Sequence, residues 1–184
     1  MEIEDITIQE YFTMEDSTEY DIFVDILKPV NLFAGRRCNT NNLTFDEVQV
    51  MKVLFQNPTF NTIEDLIILC YRLKGDIRES AGKQYLSTSV FDLFRAKTFL
   101  QEFIIETIDK ERMWLSGKSD EKLLMINAEK RLSPFSHLLT KIRLAEQFST
   151  TDSIIGGWKY SKVFTILTAN KIHADLMKEY NEIK

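Results

Sequence analysis

The sequence predicts an all-α protein: an irregular bundle of six to eight helices around a long central helix at about residues 89–116, with an acidic N-terminal arm. Only three prolines and six glycines punctuate the 184 residues, which favours long elements over frequent turns. Apolar residues also recur at helical spacing along most of the chain. A chain of this length predicts a single domain over residues 1–184, with a helical core over residues 44–181.

The composition argues against membrane insertion and export. The longest uninterrupted apolar run, from Leu66 to Cys70, is five residues, far short of the roughly 20 that cross a bilayer. The N-terminus is acidic, whereas a secretory signal begins with a basic stretch followed by an apolar one. We therefore expect a cytoplasmic protein without membrane contacts.

No motif for a metal, a cofactor or a catalytic site is present in the sequence. The two cysteines, Cys38 and Cys70, lie in unlike surroundings, and no ligand spacing joins them to His137 or His173. The six glycines cannot be arranged as a dinucleotide fingerprint or a phosphate-binding loop. The sequence therefore predicts a protein that is not an enzyme and that binds no cofactor.

The acidic arm comprises residues 1–33, which hold nine acidic residues and one basic residue, Lys28. Residues 128–184 hold nine basic residues against six acidic ones, so charge is segregated along the chain. Four apolar residues near the start of the arm fit one face of a short helix. Residues 20–27 fit a helix, which we favour, but their β-branched residues also alternate as in a strand. The four apolar residues that fit one face of the short helix are Ile6, Ile8, Tyr11 and Phe12.

The next segments carry recognisable helix starts and stops. Residues 29–43 are predicted to be an exposed loop, and residues 44–47 (TFDE) form a capping box for a helix that runs to Pro58. Residues 62–65 repeat this pattern for a helix that ends at Gly75. The longest helix is predicted to occupy the segment between Ser89 and Gly117.

The C-terminal third is predicted to hold three more helices. Ser119 caps a short helix through Lys130, and residues 133–134 start a second helix. A turn over residues 150–157 then leads into the last helix, over residues 158–181. No internal repeat is evident. The predicted core positions of the second helix are Leu138, Leu139, Ile142 and Phe148, and those of the last are Val163, Phe164, Leu167, Ile172, Leu176 and Tyr180.

Two polar clusters are candidate sites. The carboxylates of Glu102, Glu106 and Asp109 share one side of the long helix, but no histidine is placed to converge on them, so we interpret them as a solvated face. Arg36 and Arg37 have the composition of an anion clamp, but they also fit a polar loop, and we favour the loop.

Aromatic residues mark the candidate protein interface. In the acidic arm they combine with dense negative charge, which suits docking onto a mixed basic and apolar groove of another subunit. A second pair lies at the start of the last helix, where a place at the edge of the core is the alternative interpretation. The candidates are Tyr11, Phe12, Tyr20, Phe23, Trp158 and Tyr160.

A nucleic-acid interface is the alternative for the C-terminal half. Residues 142–148, a polar turn and the last helix resemble the order of a helix-turn-helix, and four nearby cations suit phosphate contacts. The intervening residues 149–157 exceed the usual three or four, and the pI of about 5.2 is low for a DNA-binding protein. The four cations are Lys141, Arg143, Lys159 and Lys162.

The function that the sequence favours is a non-enzymatic protein–protein interaction component with a structural or assembly role. Its partners are then other proteins, including copies of itself. Alanine is sparse, at 7 residues, while isoleucine reaches 19 and lysine 15, a skew typical of AT-rich genomes. Phage and low-GC bacterial genes are the natural sources of this skew, and the example that we favour is a phage-encoded virion, connector or tail-assembly factor, located in the host cytoplasm or the virion. The alternative is a small helical regulator that binds nucleic acid.

Overall fold

The computed structural model describes residues 6–16, 26–56, 59–72, 86–117, 125–132 and 135–183. These residues form eight α-helices and one 3-10 turn, with isolated β-bridges and no strand, so the all-α prediction is confirmed. In chain order the helices are α1 (Ile8–Thr13), α2 (Phe45–Gln56), α3 (Phe60–Tyr71), α4 (Val90–Leu115), α5 (Ala128–Leu132), α6 (Ser136–Gln147), α7 (Asp152–Gly156) and α8 (Tyr160–Glu182); the 3-10 turn is Thr40–Asn42.

The chain divides into two compact units, each discontinuous in sequence. Unit 1 comprises Met1–Thr40 and Met51–Glu106, and unit 2 comprises Asn41–Val50 and Thr107–Lys184. The predicted long helix is α4, and it contributes to both units. The single domain over residues 1–184 stays a prediction.

Residues 6–11 of the acidic arm contribute to the core of unit 1. Helix α1 confirms the predicted short helix, and Ile6, Ile8 and Tyr11 are buried. The Tyr11 ring packs edge-to-face on Phe94, with 5.6 Å between the centroids. Tyr11 thus packs within unit 1, whereas Phe12 is exposed. The role of both residues in a partner interface stays a prediction.

Two other predictions about the arm have different outcomes. Tyr20 and Phe23 lie outside the described residues, and so does most of the segment predicted as helix or strand. The box that caps α1 was missed. The carboxylate of Glu10 accepts a hydrogen bond from the Thr7 amide at 2.9 Å. Its hydrogen bonds with the backbone and the side chain of Thr7 lower the pKa of Glu10.

In unit 1, the starts of α1 and α4 exchange two backbone hydrogen bonds. The Ile8 amide donates to the Thr88 carbonyl oxygen and the Val90 amide donates to the Ile6 carbonyl oxygen, both at 2.9 Å. Both donors are first-turn amides, which have no acceptor in their own helix. The exchange therefore satisfies both helix starts and joins segments about 80 residues apart.

In unit 2, the starts of α2 and α8 exchange the same two bonds. The Phe45 amide donates to the Trp158 carbonyl oxygen at 2.8 Å, and the Tyr160 amide donates to the Leu43 carbonyl oxygen at 2.9 Å. The first helix of each pair begins with a Thr-x-x-Glu box, from Thr7 in unit 1 and from Thr44 in unit 2. A local structural device thus recurs where the sequence predicted no repeat.

Residues 29–43 were predicted to be an exposed loop, but part of this loop is buried. Phe33, Cys38 and Leu43 are buried. The Asn31 amide group holds the backbone of Cys38 from both sides, accepting from its N–H at 2.8 Å and donating to its carbonyl oxygen at 2.9 Å. These two side-chain hydrogen bonds replace the backbone hydrogen bonds that a neighbouring strand would provide. The backbone polar groups of Cys38 can therefore be buried.

The capping predictions for α2 and α3 differ in outcome. The box at residues 44–47 is confirmed, because Thr44 donates its amide to Glu47 at 2.8 Å and accepts from the Glu47 amide. The predicted cap at Thr62 is wrong, because Thr59 caps α3 and Thr62 lies inside its first turn. The helix also ends before Gly75, at Tyr71, where Arg72 turns left-handed with a φ of 49°.

Two predictions for the C-terminal third are corrected. The helix predicted through Lys130 is interrupted, since Asn127 has a φ of 51° and α5 begins at Ala128. Residues 150–157 hold a helix where a turn was predicted, because Thr151 caps α7 by accepting from the Ile154 amide. Apolar periodicity registers neither a left-handed backbone at Asn127 nor a side-chain cap at Thr151.

The core of unit 2 uses residues of α6 that the prediction did not name. Leu144 and Ala145 are buried, whereas Leu138, Ile142 and Phe148 are exposed. The prediction for α8 is right for Val163 but wrong for Ile172, Leu176 and Tyr180, which are exposed. The buried cluster consists of Phe45, Leu144, Ala145, Ile155 and Val163, with Trp158, Tyr160, Ile166 and Leu167 partly buried around it.

Gly156 permits a close approach of α2 and α7. A Cβ at this position would lie 2.1 Å from Asp46 Oδ2, and the Asp46 carboxylate is held by Lys141 at 2.9 Å. We expect Gly156→Ala to displace the carboxylate and lower the free energy of unfolding by about 1 kcal/mol in urea denaturation. Gly157→Ala is the matched control, because its Cβ would meet nothing closer than 3.5 Å. An equal loss in an Asp46→Ala background would contradict the explanation.

The buried residues of the arm, Ile6, Ile8 and Tyr11, give a second prediction. Ile8 is fully buried, so Ile8→Ala should lower the free energy of unfolding by about 2–4 kcal/mol. Phe12→Ala removes a larger but exposed side chain and should cost less than about 1.5 kcal/mol. If the two variants unfold at the same denaturant concentration, the arm does not pack as described.

Candidate interaction surface

The two aromatic residues at the start of α8 pack around the core of unit 2. The Trp158 ring meets Phe148 edge-on, with 5.3 Å between the centroids. Tyr160 donates its hydroxyl to Glu111 Oε1 at 2.9 Å. Both side chains are partly buried, which agrees with a place at the edge of the core. Their role in a partner interface stays a prediction.

Three of the four cations of the nucleic-acid alternative make contacts within unit 2. Lys141 pairs with Asp46, and its side chain is only 13% exposed. Lys159 Nζ donates to Asn42 Oδ1 at 2.9 Å, and Lys162 Nζ lies 3.4 Å from the centroid of the Trp158 ring. Arg143 is exposed on α6. These contacts use donors and charge that phosphates would otherwise receive.

The exposed carboxylates do not converge on one point in either unit. Glu102 and Glu106 lie in unit 1 and Asp109 in unit 2, and all three are exposed. A shallow groove beside Gly117 is lined by both signs of charge along α8, including the ion pair of Lys171 with Asp175. Within the described ranges, no group of three or more possible metal ligands comes together.

The C-terminal half of α8 presents an exposed apolar face. Every residue from Ile172 to Ile183 is exposed, although Leu176 and Tyr180 are large apolar residues, each 57% exposed. Steps of four residues bring such side chains onto one side of a helix. We call Ile172, Leu176 and Tyr180 the α8 face.

None of the described helices is both long and apolar enough to span a bilayer.

A second exposed apolar stripe follows α6. Phe135, Leu138 and Ile142 are exposed, at steps of three and four residues. Leu138 and Ile142 are two of the predicted core residues. A signal of the true arrangement was present, since Leu144 lies about 200° around the helix from Ile142, so α6 carries apolar residues on two sides. The core of unit 2 can cover only one of these two apolar sides of α6.

Comparison of the chain with protein-family models, with curated proteins and with solved structures finds no match.

One buried tyrosine, Tyr71, and one partly buried tyrosine, Tyr160, give a prediction for alkaline pH. Burial raises the pKa of Tyr71 and Tyr160, with the Cys38 and Cys70 thiols adding to the effect at Tyr71 and Glu111 at Tyr160. A raised folded-state pKa stabilises the fold below the ordinary tyrosine pKa of about 10, and stability is lost as the pH rises above it. We expect both phenols to stay neutral until unfolding, measured by absorbance during a pH titration.

Phenylalanine substitutions separate the two tyrosines. No hydrogen-bond partner of Tyr71 Oη is found among the described residues, so Tyr71→Phe should change the free energy of unfolding by less than about 0.5 kcal/mol or raise it. Tyr160→Phe loses the bond to Glu111 and should lower it by about 1–2 kcal/mol. The reverse order would show that the two hydroxyls are placed differently.

Proposed function

We propose that this protein is a non-enzymatic protein–protein interaction component with a structural or assembly role, and that the α8 face is one of its contact surfaces. The single observation that carries the proposal is the exposure of the whole stretch from Ile172 to Ile183. Large apolar residues in an exposed helix are the usual anchors of helix-in-groove binding.

The energetics of α8 support a partner for this stretch. In water, isolated helices shorter than about 12–15 residues are marginal, and most helical stability in proteins comes from packing of an apolar face. Val163 is the buried residue of α8, and it lies in the first turn. Beyond Lys171 the helix has no buried residue to anchor it. Binding of a partner would remove apolar surface from water and hold this stretch in its helical form.

The setting that we propose is a phage-encoded assembly, as a virion, connector or tail-assembly factor in the host cytoplasm or virion. The skew in alanine, isoleucine and lysine supports it, as does the separation of negative charge in the arm from positive charge in the C-terminal third. Regulation through nucleic acid has less support, because Lys141, Lys159 and Lys162 already make contacts within unit 2.

The test is the absolute mass of the full chain by size-exclusion chromatography with light scattering, over a range of concentrations. We expect an oligomer whose mass falls in the double variant Ile172→Glu and Leu176→Glu, because a carboxylate cannot be buried cheaply in an apolar contact. These positions are exposed, so thermal unfolding of the protomer should change little.

Asn181→Glu is the control for an added carboxylate, since it places one such group, where the double variant places two, at an exposed position on the other side of α8. It should leave the mass unchanged. A chain that stays monomeric at every concentration would remove self-association from the proposal. An oligomer that is equally stable in the double variant and the control would show that the α8 face is not a contact.

A further inference from the structure

The α5–α6 region of unit 2 combines exposed apolar residues with positive charge. Leu132 in α5 is 50% exposed, and Phe135 just before α6 is 55% exposed. The stripe continues along α6 through Leu138 and Ile142. Lys130 and Arg131 lie in the last turn of α5, and Arg143 follows Ile142. We call Lys130, Arg131, Leu132, Phe135, Leu138, Ile142 and Arg143 the basic apolar surface.

The placement of this surface on α6 leaves it available to another molecule. Leu144 and Ala145 take the contacts with the unit 2 core, and Lys141 pairs with Asp46. Arg143 lies about 100° around the helix from Ile142, and it is exposed. The apolar stripe therefore has an exposed guanidinium along one edge, and Glu146 lies one turn further on.

The same chain carries a segment of matching chemistry. Residues 14–27 contain five acidic residues and no basic one, together with Tyr20, Phe23 and other apolar residues. At the described ends of this segment, Asp16 is exposed and Ile26 is 72% exposed. The described residues next to positions 17–25 are thus exposed.

We infer that the basic apolar surface of one copy binds the acidic segment 14–27 of a second copy. This inference rests on the proposed function, and it names the partner and a second contact, separate from the α8 face. Apolar side chains from the segment would cover Phe135, Leu138 and Ile142, while its carboxylates meet Arg131 and Arg143. Because the two surfaces differ, the contact is heterologous and extends copy by copy into a ring or a filament.

A charge exchange between two full-length variants tests the pairing. The arm variant carries Glu19→Lys, Asp21→Lys and Asp25→Lys, and the surface variant carries Lys130→Glu, Arg131→Glu and Arg143→Glu. Each variant alone opposes like charges, so its association should be at least about tenfold weaker than that of the natural chain in light scattering at low salt. An equimolar mixture opposes unlike charges at every contact and should recover the mass of the natural assembly.

The control pair, Glu102→Lys and Arg112→Glu, reverses exposed charges on α4 and should behave as the natural chain. Two results would overturn the inference: association unaffected by either variant, or a mixture no larger than its components. If the α8 variants still dissolve the oligomer in that case, the proposed function stands and only the partner assignment falls. A natural chain that is monomeric overturns both self-association claims.

Discussion

The first amide of an α-helix has no acceptor within its own helix, and in two pairs of helices of this chain that amide is satisfied by the start of the other helix. Ile8 and Val90 make the exchange in unit 1, and Phe45 and Tyr160 make it in unit 2. All four residues are buried or partly buried, so an unpaired amide there would cost the free energy of desolvation. Each exchange therefore fixes which two helices begin side by side, and in which register.

Packing in each unit follows from that register. In unit 2, pairing of Leu43 with Tyr160 sets Phe45 beside the first turn of α8, so Val163 reaches the cluster that Leu144 and Ile155 complete. The contact of Gly156 with Asp46 lies beside the same junction. The cost is a long loop closure, because the paired positions are more than 100 residues apart in sequence. Apolar burial around the junction has to offset it.

Local signals made much of this fold predictable. The capping box at Thr44 and the long apolar pattern of α4 depend on neighbours within a few residues, and both were found in the sequence. Other boundaries depend on a left-handed backbone conformation at residues other than glycine, as at Asn127 and Arg72, and these were missed because such residues seldom adopt it. The paired helix starts were also invisible, because backbone amides and carbonyls leave no side-chain pattern.

The candidate surface was missed for a different reason. Periodicity shows which apolar residues share a face, but it does not show which of two apolar faces meets the core. On α6 the sequence pattern favoured Leu138 and Ile142, whereas the core of unit 2 uses Leu144 and Ala145. The misassigned residues are therefore informative, since they are apolar positions that the chain's own core does not use.

The two exposed surfaces differ in the force that would hold a partner. The α8 face is apolar, and contact through it gains free energy from the removal of hydrocarbon from water, which salt does not screen. The basic apolar surface adds charge pairs near solvent, whose attraction weakens as the Debye length shortens from about 30 Å at 0.01 M salt to about 3 Å at 1 M. An assembly that uses both contacts would lose them in sequence as salt rises, with the contact to the acidic segment weakening first. Salt thus separates two interfaces that a single measurement of mass would merge.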